Sequence, residues 1–482
     1  MSKGCLSRGD DRYMTKIQLA IFGTGLFYKK RKKKLTSIND IEICVFLDNN
    51  MSLWGTRVDG VLTVPPNDLD KVLYDYVVIM SSYEVEMYEQ LINMGVEQSK
   101  ILYWGNFIAK FSQDKRIYYT CNMKRSEQEP ILIITTNLNY NGGTMAAIYA
   151  AMCLQSKRYK VDLVAPWGNP ELIHEINGYG INVIIDESLP YIEEEKWIKK
   201  YRVVIVNVFQ MIQCACEISK YRPVLWWIHE PSISYNKILK QFAHYINIES
   251  IKYANIWAVS HIAKSNFNVH FPNRIKKVLN YGIPDIKIAG AKVKKKQGIV
   301  FAIIGAICDL KAQDVFLQAA NGIIADEPIE FWIIGALGKD MYGCHIKELA
   351  KQNPDVKLLG VLSRREIYEK LVDIDVVVCI SREDSLPIVM TEAMMFHKIC
   401  ITSDKTGTVD YIVDGENGLV VEVDNVEMLQ YKMQWVVDHQ DKLGEIGDKA
   451  RETYEKYFSM KTFGDNLERA ITETMNEWRI KE

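Results

Sequence analysis

The chain has 482 residues, 48% of them hydrophobic and 25% charged, with Lys plus Arg (59) almost balanced by Asp plus Glu (61). At roughly 150 residues per domain this length suggests about three domains, and the composition excludes a disordered, collagen-like or disulfide-stapled chain. A net charge near zero gives no global field for nucleic acid, so nucleic acid is not expected as a partner and any basic patch is local.

No run reaches the roughly 18 to 20 apolar residues that span a bilayer, and the opening MSKGCLSRGDDRYM lacks the apolar core of a signal peptide, so a cytoplasmic protein is expected. Of ten cysteines, Cys44, Cys379 and Cys400 lie in apolar runs, and no CxxC pair occurs. They read as buried thiols in a reducing compartment.

In chain order, strand-like runs occupy 17–23, 42–48, 76–82, 131–136, 161–166, 203–209, 224–229, 256–260, 299–305, 331–335, 356–360, 376–381 and 399–404. Runs apolar on both faces and separated by helical stretches predict parallel sheets covered on each side, an α/β fold. Polar or basic seams at 111–130 and 284–298 divide the chain into units at 1–127, 128–287 and 297–458, followed by an amphipathic helix in 459–482. No period of 20 to 50 residues repeats, which excludes a solenoid.

In the first unit, Gly23-Thr24-Gly25 follows the first strand and Asp48 ends the second, which resembles the opening of a Rossmann unit. Tyr28 stands where the third glycine belongs, so the fingerprint is incomplete. A Rossmann-like accessory domain is expected, with nucleotide binding and a structural or docking role both open. The run Lys29-Lys30-Arg31-Lys32-Lys33-Lys34 reads first as a solvated helix face. Such clusters gain about 1 kcal/mol per charge near anionic lipid, which keeps peripheral membrane contact open. Self-association is equally open.

The second unit opens with a strand, Asn141-Gly142-Gly143-Thr144 and a helix, where paired glycines permit close backbone approach to an anion or a sugar. The third repeats this plan, its first strand running through Gly305 into a loop that carries Lys311. At about 4 Å and an effective dielectric near 20, one lysine–phosphate charge pair is worth roughly 4 kcal/mol before desolvation. Further on, Asp384 and Glu392 are separated by seven residues, with Pro387 suited to the first helical turn between them. Asp384 then lies in a loop beside the amides of Ser385 and Leu386, positioned to orient sugar hydroxyls, while Glu392 sits on the helix and can hold a ribose. Asp373 and Asp375 form a DxD, but they precede a strand and read as structural.

Together these features resemble the retaining glycosyltransferases of family 4, which have the GT-B fold of two facing Rossmann-like domains. The resemblance covers about residues 128–480. Its most specific element is the Asp384 to Glu392 stretch, similar to the family's glutamate, seven residues, glutamate signature. Ordered support comes from NGGT (141–144), IHE (228–230), AVS (258–260), NYGIP (280–284), IIGAICDLKAQD (303–314), IIGALG (333–338), LLGVLSRREIYEKL (358–371) and TGTVDYIVDGENGLVV (406–421). The resemblance implies that Lys311 grips the donor diphosphate, Glu392 binds the ribose, and Asp384, helped by Glu383, contacts the transferred sugar. It places His229 beside that sugar, Gly142, Gly143 and Gly305 against the donor, and Gly407 and Thr408 near the phosphates.

Three departures stand out: Ala306 where the family usually has arginine, Ala312 where it has glycine, and Asp384 for the first glutamate. The implied reaction moves a hexosyl group from a UDP-sugar or another nucleotide diphosphate sugar to a carbohydrate or lipid-linked hydroxyl acceptor. It needs no metal and no other cofactor, and belongs to surface polysaccharide or glycan synthesis at the inner face of the membrane. Acceptor-side loops include the basic and aromatic stretch 231–245. The final helix is expected to cross back onto the second unit, and closure about 284–298 to exclude water. The alternatives are a non-catalytic GT-B subunit that scaffolds a partner transferase, and a GT-B epimerase or phosphorylase.

Overall fold

Continuous apolar runs such as Val203–Asn207 and Val224–Ile228 are buried along their whole length, as strands covered by helices on both faces must be. A computed structural model describes residues 16–121, 129–243, 248–275, 277–286 and 298–481. It holds three sheets, of six, eight and six strands.

Two compact units emerge. One takes residues 1–117 with 186–192, the other 118–185 with 193–482. In the first, the strands lie in the order Arg57–Val58, Val61–Val64, Ile41–Leu47, Ile17–Phe22, Tyr76–Ile79, Ile101–Tyr103, parallel except at the first pair. This is a doubly wound arrangement. The basic run lies on the helix Leu26–Thr36. Lys32 pairs with Asp59 at 2.9 Å, and Glu187 takes both Arg31 (3.1 Å) and Lys34 (2.7 Å), while Lys29, Lys30 and Lys33 stay exposed.

The second unit carries the third sheet and nearly all of the eight-stranded one. In the eight-stranded sheet the order is Lys277–Val278, Asn255–Ala258, Val224–Ile228, Val203–Asn207, Ile131–Ile134, Val161–Ala165, Asn182–Asp186, Arg116–Tyr119. The third sheet runs Val356–Gly360, Ile329–Ile334, Ile299–Ile304, Val376–Cys379, Ile399–Ser403, Leu419–Val421, parallel throughout. Each sheet with its helices forms one lobe of a GT-B fold. The helix Met460–Lys481 packs on the helix Gly142–Ser156 and the strand Val224–Ile228 of the first lobe.

The seam at 111–130 contains a strand, Arg116–Tyr119, that polarity had concealed. Residues 122–128 of that seam, most of the 284–298 segment and the end of the 231–245 loop lie outside the described residues. Among the described residues, no helix is long and apolar enough to cross a membrane.

Candidate functional site

In a parallel sheet every strand delivers its following loop to the same edge, so loops after strands converge there. From the first lobe come the start of the helix Gly142–Ser156 and His229, which follows Val224–Ile228. From the second come Lys311 and the loop after Val376–Cys379. They border one cavity of about 340 Å³, whose walls include Gly142, Gly143, His229, Lys311, Asp384, Ser385 and Leu386.

Local chemistry fixes each contributor. The side chain of Asn141 caps the helix by accepting from the Thr144 amide (3.0 Å), and the Asn207 side chain donates to the Gly143 carbonyl (3.0 Å). A Cβ on Gly143 would come within 3.1 Å of Val208, whereas Gly142 faces open space. Val208 itself has φ 76°, a strained setting for a β-branched residue. Buried Glu230 holds that turn: its carboxylate accepts from the amides of Phe209 (2.5 Å) and His229 (3.0 Å). Burial pushes the Glu230 carboxyl up to about 7, against the lowering effect of those amides.

His229 packs edge-on against Trp227, ring centroids 4.4 Å apart. Burial depresses its pKa to about 3, so the imidazole is neutral, and its Nε2 has no hydrogen-bond partner. The hydroxyl of Ser385 is likewise buried without a partner. Orphaned polar atoms are rare in folded proteins and each asks for a ligand or water. Two of them border the same cavity.

Lys311 reaches across to the carboxylate of Asp384. Burial works against its charge, but the Asp384 pairing outweighs this and leaves its pKa above the ordinary lysine value. Gly305, at φ 152°, lies alongside: a Cβ there would be 4.0 Å from the Lys311 side chain.

Several predicted residues stand elsewhere. Glu392 is buried and is not a cavity wall; it accepts from Arg364 and from the Tyr368 hydroxyl (3.0 Å). Burial raises its carboxyl above the usual range, and Arg364 and Tyr368 oppose that rise. Glu383 does not face the cavity as a helper to Asp384. It accepts from the backbone amide (2.6 Å) and hydroxyl of Ser232 and from the Asn266 side chain, clasping the first lobe. The Gly407 amide donates to the Asp384 carbonyl (2.9 Å), so it braces that loop instead of offering a free donor to phosphate. A Cβ at Gly407 would lie 1.8 Å from the Ser385 carbonyl and 2.7 Å from the Ser260 side chain, which explains the glycine. Thr408 is buried with an unpartnered hydroxyl but is not a cavity wall.

The two unusual alanines stand in different local settings. Ala306 leaves no cation at its position, and nearby Arg382 is committed to Asp314 (2.9 Å), Asp309 (3.1 Å) and Asp424 (2.8 Å). Ala312 sits at φ 55° and ψ 39°, the left-handed setting that favours glycine. Asp375 accepts from the Val300 amide (2.8 Å) at the start of the strand Val376–Cys379, a structural placement.

Arg364, Tyr368 and Glu230 were not singled out from sequence. Arg364 and Tyr368 are one helical turn apart in Arg364–Asp373, on the face toward Glu392, and that i, i+4 pairing was the available signal.

Residues 285–453 match the family model described as "Glycosyl transferases group 1". This stretch therefore carries a glycosyl transferases group 1 domain. Residues 15–102 match a second model, "C2185-like, N-terminal". No curated protein sequence matches the chain. Among solved structures, HepE (Alr3699) of Anabaena in complex with UDP is 16% identical with a TM-score of 0.60, covering 71% of this chain and 100% of that one. A glycosyltransferase of Rickettsia africae is 16% identical with a TM-score of 0.59, covering 73% and 99%. Sucrose-phosphate synthase of Thermosynechococcus elongatus is 13% identical with a TM-score of 0.57, covering 73% and 100%. These likenesses establish the GT-B fold. Lys311, Asp384, Ser385 and Glu392 all fall inside the group 1 domain, while Gly142, Gly143 and His229 come from the lobe that precedes it.

Proposed function

We propose that this chain is a retaining glycosyltransferase that moves a hexosyl group from a nucleotide diphosphate sugar, with UDP as the nucleotide, to a hydroxyl acceptor. The observation that carries the reading is the shared cavity. Lys311 and Ser385 of the group 1 domain and His229 of the preceding lobe line one space between two lobes, and the last two carry buried polar atoms without a partner.

In this reading Lys311 exchanges Asp384 for the diphosphate and stabilises the charge that develops as the sugar departs. Preorganised charge of this kind contributes more in a water-poor cleft than in bulk solvent. Gly142 and Gly143 let the first lobe's backbone approach the donor. Asp384, released from Lys311, orients sugar hydroxyls, and neutral His229 offers its free ring nitrogen to the sugar. Glu392 holds the ribose, with Arg364 and Tyr368 opposing the rise that burial gives its carboxyl. No protein nucleophile and no metal ion are assigned a step; the acceptor oxygen attacks the face the diphosphate leaves, its bond to the sugar forming as the sugar–diphosphate bond breaks, and its proton passes to the departing diphosphate. The acceptor is a carbohydrate or a lipid-linked glycan, presented at the inner face of a membrane.

The test is incubation with a panel of UDP-sugars and simple alkyl glycosides, with mass spectrometry for product and NMR for its anomeric configuration. Release of UDP with the donor's configuration kept in the product is expected, and sharply reduced in Lys311→Ala. Inversion would overturn retention, and undiminished turnover in Lys311→Ala would overturn the role of the lysine. A second reading, a non-catalytic GT-B subunit, is motivated by Ala306 and the commitment of Arg382 to three carboxylates. It predicts no UDP binding at all.

A further inference from the structure

The edge of the eight-stranded sheet opposite the cleft carries a second concavity, of about 130 Å³. Glu129, Arg202, Arg222 and Pro223 line it from the segments just before the strands Ile131–Ile134, Val203–Asn207 and Val224–Ile228. Met475, Trp478 and Arg479 line it from the final helix. Three guanidinium groups thus share one small cavity with a single carboxylate.

Their hydrogen bonding is incomplete. Arg222 donates one terminal nitrogen to the Lys199 carbonyl, but its Nε is buried without a partner. The Nε of Arg202 finds only the thioether of Met475, at 3.2 Å, a weak acceptor. Arg479 is exposed. Among the described residues, none of the three forms an ion pair with a carboxylate, although ion pairs are plentiful elsewhere on the same lobe, as at Lys157 with Asp465 and Glu468. Like charges gathered in a small cavity repel one another, and a buried guanidinium N–H with no acceptor is costly. An oxyanion in the cavity offsets that repulsion, and the fork of N–H donors on arginine matches the oxygens of a phosphate. Trp478 has its indole N–H directed to the Ser219 carbonyl (3.3 Å), so it serves as an apolar wall.

We infer that this cavity is a phosphate-binding site, distinct from the cleft and built by docking the final helix on the first lobe. The ligand chemistry is a phosphate group, supplied either by a soluble phosphate or by the headgroup of an anionic lipid. The inference does not depend on the chemistry proposed for the cleft.

The test titrates inorganic phosphate by calorimetry into the full-length Lys311→Ala protein, in which the cleft's phosphate lysine is removed. Saturable binding is expected, with a rise in melting temperature by mass action. Affinity should fall at least tenfold in an Arg202→Gln, Arg222→Gln background and a few-fold in Arg479→Gln. The Arg479 variant, altered at an exposed position near the end of the last helix, keeps the test informative if the double variant misfolds. No phosphate binding in Lys311→Ala, or affinity unchanged in Arg479→Gln and the double variant, overturns the site. Flotation with phosphatidic acid and phosphatidylcholine vesicles identifies the source. Binding to phosphatidic acid that Arg479→Gln weakens assigns a lipid headgroup; phosphate binding without vesicle binding assigns a soluble ligand.

Discussion

The chain uses one local device in each of its three sheets, a strand that ends in a glycine loop before a helix, and the first and third copies differ in what they leave unsatisfied. At Gly23-Thr24-Gly25, Asp48 accepts from the Thr24 amide (3.1 Å), the Thr24 hydroxyl (2.6 Å) and the Asn50 amide (2.9 Å). Tyr28 fills the space above, buried and donating to Asp59 at 2.7 Å. That loop is closed on itself, with its acid already in use. Around Gly305 and Lys311, by contrast, the Ser385 hydroxyl and His229 Nε2 are buried without partners, and both residues line an open cavity. A glycine loop is a fold feature; unsatisfied polar groups around a cavity are what mark a site.

The sharpest way to break this contrast is to remove the central acid or base of each loop. Lys311→Ala should reduce donor turnover by roughly 10²- to 10³-fold, the usual effect of losing one preorganised charge-stabilising group. Asp48→Ala should destabilise the protein by about 1–3 kcal/mol, since it strands the Thr24 and Asn50 donors, while UDP affinity stays unchanged. Calorimetric titration with UDP and chemical denaturation of both variants check the pair. UDP binding lost in Asp48→Ala would place a nucleotide in the lead unit instead.

The same contrast explains what the sequence disclosed. Long apolar strands were legible because burial on both faces leaves a continuous signature, as at Ile299–Ile304. Short or edge strands such as Lys277–Val278 and Arg57–Val58 were not, because two residues carry no pattern. Asn182–Asp186 was missed although its central residues are apolar and buried. Within the site, spacing pointed to Lys311, Asp384 and Glu392, but not to their partners. Glu383 lies next to Asp384 in sequence yet its contacts, Ser232 and Asn266, are more than a hundred residues away. Nothing local encodes such pairings. Glu230 carries no sequence signal beyond the motif IHE; that its carboxylate supports the His229 and Phe209 amides depends on the strained turn at Val208.

That turn supplies the second prediction. The folded-state pKa of Glu230 is raised, so the native state binds a proton more tightly than the unfolded chain does. The stability this confers is present below the unfolded value near 4.5 and is lost as pH rises to about 7. Glu230→Gln removes the titration while retaining one acceptor oxygen. Across that window the variant should gain on the wild type by up to about 3 kcal/mol, at 1.36 kcal/mol per pKa unit. Urea melts of both proteins at pH 4.5 and 7.5 measure the difference. A constant offset would mean that Glu230 is not the titrating group.

A smaller effect is expected where the lobes are clasped. Glu383→Ala removes an acceptor shared by Ser232 and Asn266, leaving the cavity walls themselves untouched. Donor turnover should fall about tenfold, equivalent to roughly 1.4 kcal/mol. UDP affinity should change less, because Lys311 and Ser385 remain in place. Equal losses in turnover and UDP affinity would show that Glu383 contributes to binding instead of closure.

The smallest effect belongs to Ala312, where opposing terms nearly cancel. Holding a residue with a Cβ in the left-handed region costs about 1–2 kcal/mol, which glycine would recover. Ala312 is completely buried, however, and its methyl sits in the core that also contains Phe316 and Val315. Losing that methyl costs about 0.8 kcal/mol, and the added backbone freedom of glycine in the unfolded chain about another 0.5–1 kcal/mol. Ala312→Gly should therefore shift stability by less than about 1 kcal/mol, the balance of those three contributions. Its effect on UDP affinity should be equally slight, since the turn already presents Lys311 to the cavity with alanine in place. Stabilisation well beyond 1 kcal/mol in urea melts would show that the methyl contributes little packing. A marked gain in UDP affinity would show instead that alanine holds the lysine loop away from the phosphates, so the departure at residue 312 would bear on the donor and not on the fold.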